Sequence, residues 1–257
     1  MPYCKRNGIK IYYEAYGIGP PMVFVHANPF DHRLWLYQLA KYSTTNRVVA
    51  VDLRGYGRSD KPTEAFTLWD MAQDVLSVCA EESITEAAFL GVSVGSGIAM
   101  LIATENPQIV SKLVLVGGAS RGATSMQARI EGFLSTDLPS YHLQHLSDCV
   151  TPEFANSPTG KWLLGIFSKD SQHLSGVCIA NIFRARLACD LTEKLFQIRA
   201  PTLVINGEYD ASMPAGLLTA EKITGALHQT IPGAGHACNI ERPEIFDAVM
   251  VDFLGGR

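Results

Sequence analysis

The 257-residue sequence predicts an α/β fold, with a mostly parallel central sheet flanked by helices. Three observations carry that expectation. Short runs rich in Val, Ile and Leu recur at MVFVHA (22–27), RVVAVDL (47–53), AAFLGV (87–92), KLVLVGG (112–118) and PTLVING (201–207). They are continuously apolar rather than alternating, as strands buried on both faces of a sheet must be. Longer stretches of helical period separate them, the spacing of parallel strands joined by crossover helices.

Each element follows in order. IKIYYEAYG (9–17) alternates in polarity and ends in the Gly-rich GIGPP, which suits an antiparallel hairpin at the sheet's edge. After AAFLGV, the segment GSGIAMLIATEN is apolar on all sides, as a helix buried behind a sheet is. It is expected to end at Asn106-Pro107, because the residue before a proline is driven out of the α region. Between Gly118 and the strand at 201 lies far more chain than the roughly dozen residues that one crossover helix needs. Segments there such as ATSMQARIEGFL, KWLLGIF and LTEKLFQI are helical in pattern and are broken by Pro139, Pro152 and Pro158. LHQTIP is the last strand-like run. The expected organisation is a core of 1–118 and 200–257 with a helical lid, 119–199, inserted over the sheet's C-terminal edge, where open α/β sheets place their ligands.

Composition excludes several partners. A formal net charge of −4 with 18% charged residues describes an ordinary surface, and no Lys/Arg cluster is long enough to suggest nucleic acid or an anionic membrane. The N-terminal MPYCKRNGIKIYYEAYG has neither the apolar core of a signal peptide nor a membrane span, so a cytoplasmic protein is expected, as a monomer or homodimer. Six scattered cysteines without CxxC spacing read as reduced thiols.

Two serines compete for the role of nucleophile, Ser93 in Gly-Val-Ser-Val-Gly and Ser120 in Gly-Ala-Ser-Arg-Gly. A nucleophile on a strained strand-to-helix turn needs small neighbours, since the following helix must pass close to the sheet. Ser93 has Gly91, Gly95, Ser96, Gly97 and Ala99 around it, whereas Ser120 leads into the polar RGATSMQAR and reads as a strand-end serine near a helix N-cap.

A serine nucleophile needs a base and an orienting acid. Of seven histidines, His236 is the expected base, since it follows the last strand and its loop carries Gly233 and Gly235, which let it bend back over the sheet's edge, in IPGAGHACNIERPEIF. Asp210, just past the strand PTLVING, is the expected acid, ahead of Glu208, which reads as a solvated loop carboxylate. An oxyanion hole requires two backbone N–H donors. Val94 supplies one from the residue after the nucleophile, and the turn His26-Ala27-Asn28-Pro29 supplies the other, through Asn28 first and Ala27 second. His26 reads as structural.

Four motifs, VFVHANP…W, VDLRGYGRSDKP, FLGVSVGSG and the pair NGEYD with GAGHACNIERPE, resemble the α/β-hydrolase family in its compact class with a helical lid, across nearly the whole chain. The resemblance implies the chain order Ser93, Asp210, His236 for a triad, and a structural loop formed by Asp52, Arg54, Gly55, Gly57 and Ser59. The sequence departs from the family at Ala27, where glycine is usual, at Val92 and at Ser96. Ser93 stands where relatives resembling haloalkane dehalogenases and epoxide hydrolases carry aspartate.

The expected activity is hydrolysis of a small carboxylic ester or lactone through an acyl-enzyme on Ser93, with no cofactor; the chain resembles carboxylesterases and enol-lactone hydrolases, and some relatives resembling the latter share this size and lid. A C–C bond or thioester hydrolase with the same triad and a non-enzymatic ligand receptor are the alternative expectations. Phe30, Trp35, Trp162, Phe167, Phe183 and Met213 are candidates to line a modest, mostly apolar pocket. Arg184 joins the binding set, with Arg186 beside it, because an arginine facing the pocket would recognise a substrate carboxylate. A metal site is not expected: His142 and His145 lie three apart, but no carboxylate or cysteine falls at ligand spacing on their segment.

Overall fold

The computed structural model describes residues 3–135 and 137–255. The chain runs through β1 (Tyr3–Arg6), β2 (Ile9–Tyr16), β3 (Pro21–Val25), α1 (Leu36–Tyr42), β4 (Arg47–Val51), α2 (Leu68–Glu81), β5 (Ala87–Val92), α3 (Val94–Glu105) and β6 (Val110–Val116). It continues through α4 (Met126–Phe133), α5 (Leu138–Asp148), α6 (Pro152–Asn156), α7 (Pro158–Ser168) and α8 (Gly176–Leu187), then β7 (Thr202–Gly207), α9 (Met213–Lys222), β8 (Leu227–Ile231), α10 (Cys238–Glu241) and α11 (Pro243–Gly255). The strands form an eight-stranded sheet in the order β1-β2-β4-β3-β5-β6-β7-β8. All neighbours from β4 to β8 pair in parallel, while β1 and β2 are antiparallel to their neighbours.

The continuous apolar runs become strands because both sheet faces are covered. On one face Val23, Phe89, Leu113 and Val204 pack with Met71 and Val75 of α2, Ile98 of α3 and Ile182 of α8. On the other, Phe24, Leu90, Val114 and Ile205 pack with Leu39 of α1 and with Phe246 and Met250 of α11. Successive residues of one strand thus enter different cores, the period of two that a strand imposes.

The edge hairpin lies one step earlier than GIGPP suggests. Its turn is Asn7-Gly8, with φ of 49° and 83°, joining β1 to β2. Asn-Gly is the pair that tolerates positive φ at both central positions, so this signal belonged to the first eight residues.

After β4 the chain turns through the loop that the resemblance implied to be structural. Asp52 accepts bonds from the His32 N–H at 2.9 Å, from His32 Nδ1 at 2.7 Å and from the Arg58 N–H at 2.9 Å. Ser59 Oγ donates to the Asp52 carbonyl at 2.6 Å, and Arg54 makes a bidentate pair with the buried Asp74 at 2.7 and 2.8 Å. The ligand atoms of Asp31, His32 and Asp52 come within 4.8 Å of one another, yet Asp52 is committed to His32 and Asp31 to Arg33.

Between β6 and β7 the prolines that interrupt the pattern start helices rather than end them. Pro139, Pro152 and Pro158 occupy the first turns of α5, α6 and α7, where the missing N–H costs nothing. Asp137, Thr151, Ser157 and Ser175 cap α5, α6, α7 and α8 through their side chains. The two ends of this segment lie side by side: Arg121 bridges Asp190, and the Leu191 N–H donates to the Ser120 carbonyl at 3.0 Å. Among the described residues no helix is long and apolar enough to cross a membrane.

Candidate active site

Ser93 lies where β5 hands over to α3, with φ of 56° and ψ of −111°, the strained turn expected of it. Its N–H donates to the Val116 carbonyl at 2.8 Å, which holds the turn against β6. Although Ser93 occupies the N-cap position, its side chain makes no capping bond and stays free for other chemistry. The small residue at Gly95 has a steric cause: a Cβ there would sit 2.2 Å from the Val25 carbonyl oxygen, so only glycine lets α3 start this close to the end of β3.

Asp210 follows β7 in a turn closed by its N–H on the Gly207 carbonyl at 3.1 Å. Its carboxylate accepts from His236 Nδ1 at 2.9 Å, Asn206 Nδ2 at 2.9 Å, the Ser212 N–H at 2.9 Å and Ser212 Oγ at 2.8 Å. Burial opposes ionisation, but the imidazole and these donors outweigh it and hold the carboxyl well below the usual carboxylate range. Burial likewise disfavours the His236 imidazolium, and Asp210 reverses the sign, so the histidine's pKa is raised above its ordinary value. Glu208 is instead engaged in the loop, accepting the Gly233 N–H at 2.8 Å.

Two residues that hold His236 were not legible as such. Glu241 is buried and accepts the Gly235 N–H at 2.8 Å together with the N–H and the hydroxyl of Thr151, so it clamps the histidine loop to the segment between α5 and α6. Gly117, at the end of β6 with φ of 55°, lies under the imidazole: a Cβ there would come within 2.6 Å of His236 Cε1. Gly117→Ala is therefore expected to push the ring out of line and lower kcat by about 100-fold with modest change in KM, since displacements near 1 Å cost that much. Steady-state kinetics on a well-folded variant checks this; unchanged kcat would mean that the ring position does not matter.

Ser93, Gly117, Asp210 and His236 open into one cavity of about 1390 Å³. It is larger than the modest pocket expected, and its surface is mostly apolar as expected, although Arg121, Arg129, Arg186 and Arg242 all contribute to its wall. Ala27 and Asn28 follow the end of β3, whose Val25 and His26 carbonyls approach Gly95 of α3, and Val94 follows Ser93; all three are buried and do not line this cavity. His26 accepts the Leu53 N–H at Nε2, 2.9 Å, and pairs through Nδ1 with the Ala27 carbonyl at 2.9 Å, a structural use of the ring.

The expected binding set is placed elsewhere. Phe30 is buried against Phe167 at 4.9 Å between ring centroids, and Trp35 is in the core against Phe24 and Phe246. Trp162 is 62% exposed on the outer face of α7, because Leu163, Leu164 and Phe167 take that helix's buried side. Met213 starts α9 outside the cavity wall, and Arg184 faces an outer groove with Phe66 and Trp69, bonded to Asn181 Oδ1 at 2.9 Å. Of the aromatic candidates Phe183 alone reaches the cavity, and the wall also holds Tyr141 and His145, a buried histidine whose Nδ1 has no partner among the described residues. Its neighbour His142 turns away to Ser171 Oγ and the Pro29 carbonyl, so the two do not converge. Ser120 is buried with Oγ 2.7 Å from Thr192 Oγ1; it ties the two ends of the insertion together and does not cap a helix, since α4 begins only at Met126.

The chain has relatives consistent with this geometry. A family model described as alpha/beta hydrolase fold matches residues 20–243. An alpha/beta hydrolase superfamily protein of Bacillus subtilis (strain 168) is 26% identical over 95% of each chain. A 3-oxoadipate enol-lactonase of Acinetobacter baylyi is 28% identical, covering 91% of this chain and 88% of that one. Among solved structures, the enol-lactonase of Burkholderia xenovorans LB400 superposes with a TM-score of 0.93 at 26% identity, over 99% of this chain and 100% of the other.

Proposed function

The chain belongs to the alpha/beta hydrolase family, and from that premise we propose that it is a serine hydrolase of small carboxylic esters or lactones. The observation that carries the reading is that the Ser93 turn and the His236–Asp210 pair, brought from distant parts of the chain, open into the same cavity. In this scheme neutral His236 takes the Ser93 proton as Oγ attacks the acyl carbon, and returns it to the departing alkoxide. Water activated by the same ring then releases the acid. Asp210 keeps the proton on Nδ1, leaving Nε2 basic. The Val94 N–H and that of Asn28 or Ala27 are the proposed oxyanion donors; α3 brings its positive dipole end to the same point. The enol-lactonases among the relatives support a lactone or ester over other hydrolase substrates.

The 119–199 segment is the proposed lid. It contributes His145 of α5 and Phe183 and Arg186 of α8 to the cavity wall, so its part is binding and water exclusion. A panel of p-nitrophenyl esters and lactones of increasing chain length tests the reading. Turnover of short members is expected, and a folded protein inert toward all of them would end it.

The base must be neutral to act, which sets the sign of the pH dependence. Because Asp210 raises the His236 pKa against the opposing effects of burial and Arg129, kcat/KM is expected to climb with pH through an apparent pKa above the ordinary value of about 6.5. A profile flat between roughly pH 5 and 9, with chemistry rate-limiting, would remove His236 from the mechanism.

A further inference from the structure

We propose that Arg186 forms a carboxylate-binding subsite in the cavity wall, so that the substrate is a small ester or lactone that itself bears a carboxylate; this rests on the serine-hydrolase reading above. Arg186 is only 2% exposed and contributes to the cavity. Its Nη1 donates to the Cys189 carbonyl at 2.9 Å and its Nη2 to the Ala119 carbonyl. A guanidinium has five N–H groups, so three remain without an acceptor among the described residues.

More telling than the spare donors is the missing counter-charge. The other cations of the wall are provided for: Arg129 pairs with Asp148 at 2.9 Å, and Arg121 and Arg242 are exposed to water. Arg186 is buried and has no carboxylate at ion-pair distance among the described residues. The closest in influence, Asp190, is itself exposed and accepts the Thr192 N–H. Burial lowers the pKa of Arg186, and Cys189 and Asp190 together offset only part of that. A guanidinium stays charged in a protein, and a buried charge without a partner is costly, so the position favours an anion arriving with the ligand.

Placement makes that anion part of the substrate. Arg186 Nε lies 3.0 Å from where a Cβ on Gly97 would be, and the Gly97 N–H donates to the Ser93 carbonyl, so the guanidinium rests on the first turn of the helix that Ser93 heads. Its other anchor, Ala119, is two residues past the glycine beneath His236. The charge is therefore held by rigid backbone beside the reacting groups. On the same wall His145 lies beside Phe183, with ring centroids 5.9 Å apart and planes tilted by 35°, and offers an imidazole whose Nδ1 has no partner among the described residues. Arg184, two residues earlier on the same helix, has neither the burial nor the cavity.

The test compares kcat/KM for mono-p-nitrophenyl glutarate and p-nitrophenyl butyrate, acyl chains of similar length with and without the carboxylate. Wild type is expected to prefer the glutarate, and Arg186→Met to reduce that ratio roughly 10- to 100-fold, the range for a hydrogen-bonded charge; Arg186→Lys should retain part of it. Because Arg186 also ties α8 to Ala119, a second measurement uses the wild type alone: glutarate, but not neutral glutaramide, should slow fluorophosphonate labelling of Ser93. Equal turnover of both esters with no protection by glutarate, while Ser93 still labels, overturns the subsite and leaves the serine hydrolase standing. A preference that survives Arg186→Met but vanishes in Arg121→Gln also overturns it. If no ester is cleaved and Ser93 does not label, the serine-hydrolase reading fails and the subsite falls with it.

Discussion

Ser93→Ala is expected to lower kcat on small esters by something on the order of 10⁶, with the fold intact. The size follows from what is lost. Without Oγ there is no acyl-enzyme, and His236 is left to direct water at the carbonyl with whatever the oxyanion donors still contribute. A factor of this size corresponds to about 8 kcal/mol of barrier, far beyond what one lost hydrogen bond or a small packing change can supply, so it separates a nucleophile from a wall residue. The fold should tolerate the change, since the Ser93 side chain caps nothing and alanine is smaller. A fluorophosphonate should label wild type at Ser93 and fail to label the variant. Ser120→Ala should keep both labelling and turnover, because that hydroxyl is spent on Thr192. Labelling at Ser120, or a loss of only about tenfold in Ser93→Ala, would reverse the assignment.

Asp210→Asn is expected to lower kcat by about 10⁴ while leaving the backbone in place. The carboxylate is surrounded by donors: His236 Nδ1 and the Ser212 N–H reach one oxygen, Asn206 Nδ2 and Ser212 Oγ the other. An amide must turn its NH₂ toward one of those sides. Toward His236 it selects the tautomer with the proton on Nε2, where a base is useless; toward Asn206 it sets two NH₂ groups against each other. The charge is lost either way, so the influence that raised the His236 pKa disappears and burial is left to lower it. The residual activity should therefore have its pH profile displaced to lower pH. A structural role alone would lower activity without moving the profile, and an unmoved profile would count against Asp210 as the orienting acid.

The same pair makes stability depend on pH in two windows. Asp210 has a depressed pKa in the folded protein, so its contribution is present above the ordinary carboxylate value of about 3.9 and fades as pH falls through the folded value. His236 has a raised pKa, so its contribution is complete below about 6.5 and fades as pH rises through the folded value. Activity and the histidine part of stability are thus expected to run in opposite directions on the alkaline side, because the proposed catalysis uses the neutral ring and the ion pair uses the charged one.

Much of the fold and the core of the candidate site was legible in the sequence, for a local reason. A strand covered on both faces must be apolar throughout, a strand-to-helix turn at Ser93 must have Gly95 beside it, and the turns after β7 and β8 carry Asp210 and His236 at the same sheet edge. Each is a constraint between a residue and its near neighbours in the chain. The edge hairpin was equally available, in Asn7-Gly8, and so were the helix starts at Pro139, Pro152 and Pro158, once proline is read as an opener as well as a breaker. What the sequence could not rank was the wall of the cavity. Arg184 and Arg186 stand two residues apart, about 200° around α8, and nothing in either's neighbours says which direction is inward. The same holds for Trp162, Trp35, Glu241 and Gly117. The helix rotations and loop contacts that turn Trp162 to solvent, sink Trp35 beneath Phe246, join Glu241 to Thr151 and bring Gly117 under His236 are set by packing between segments far apart in the chain. Hydrophobic period determines that a helix has an inside; only the tertiary structure decides which functional side chain that inside meets.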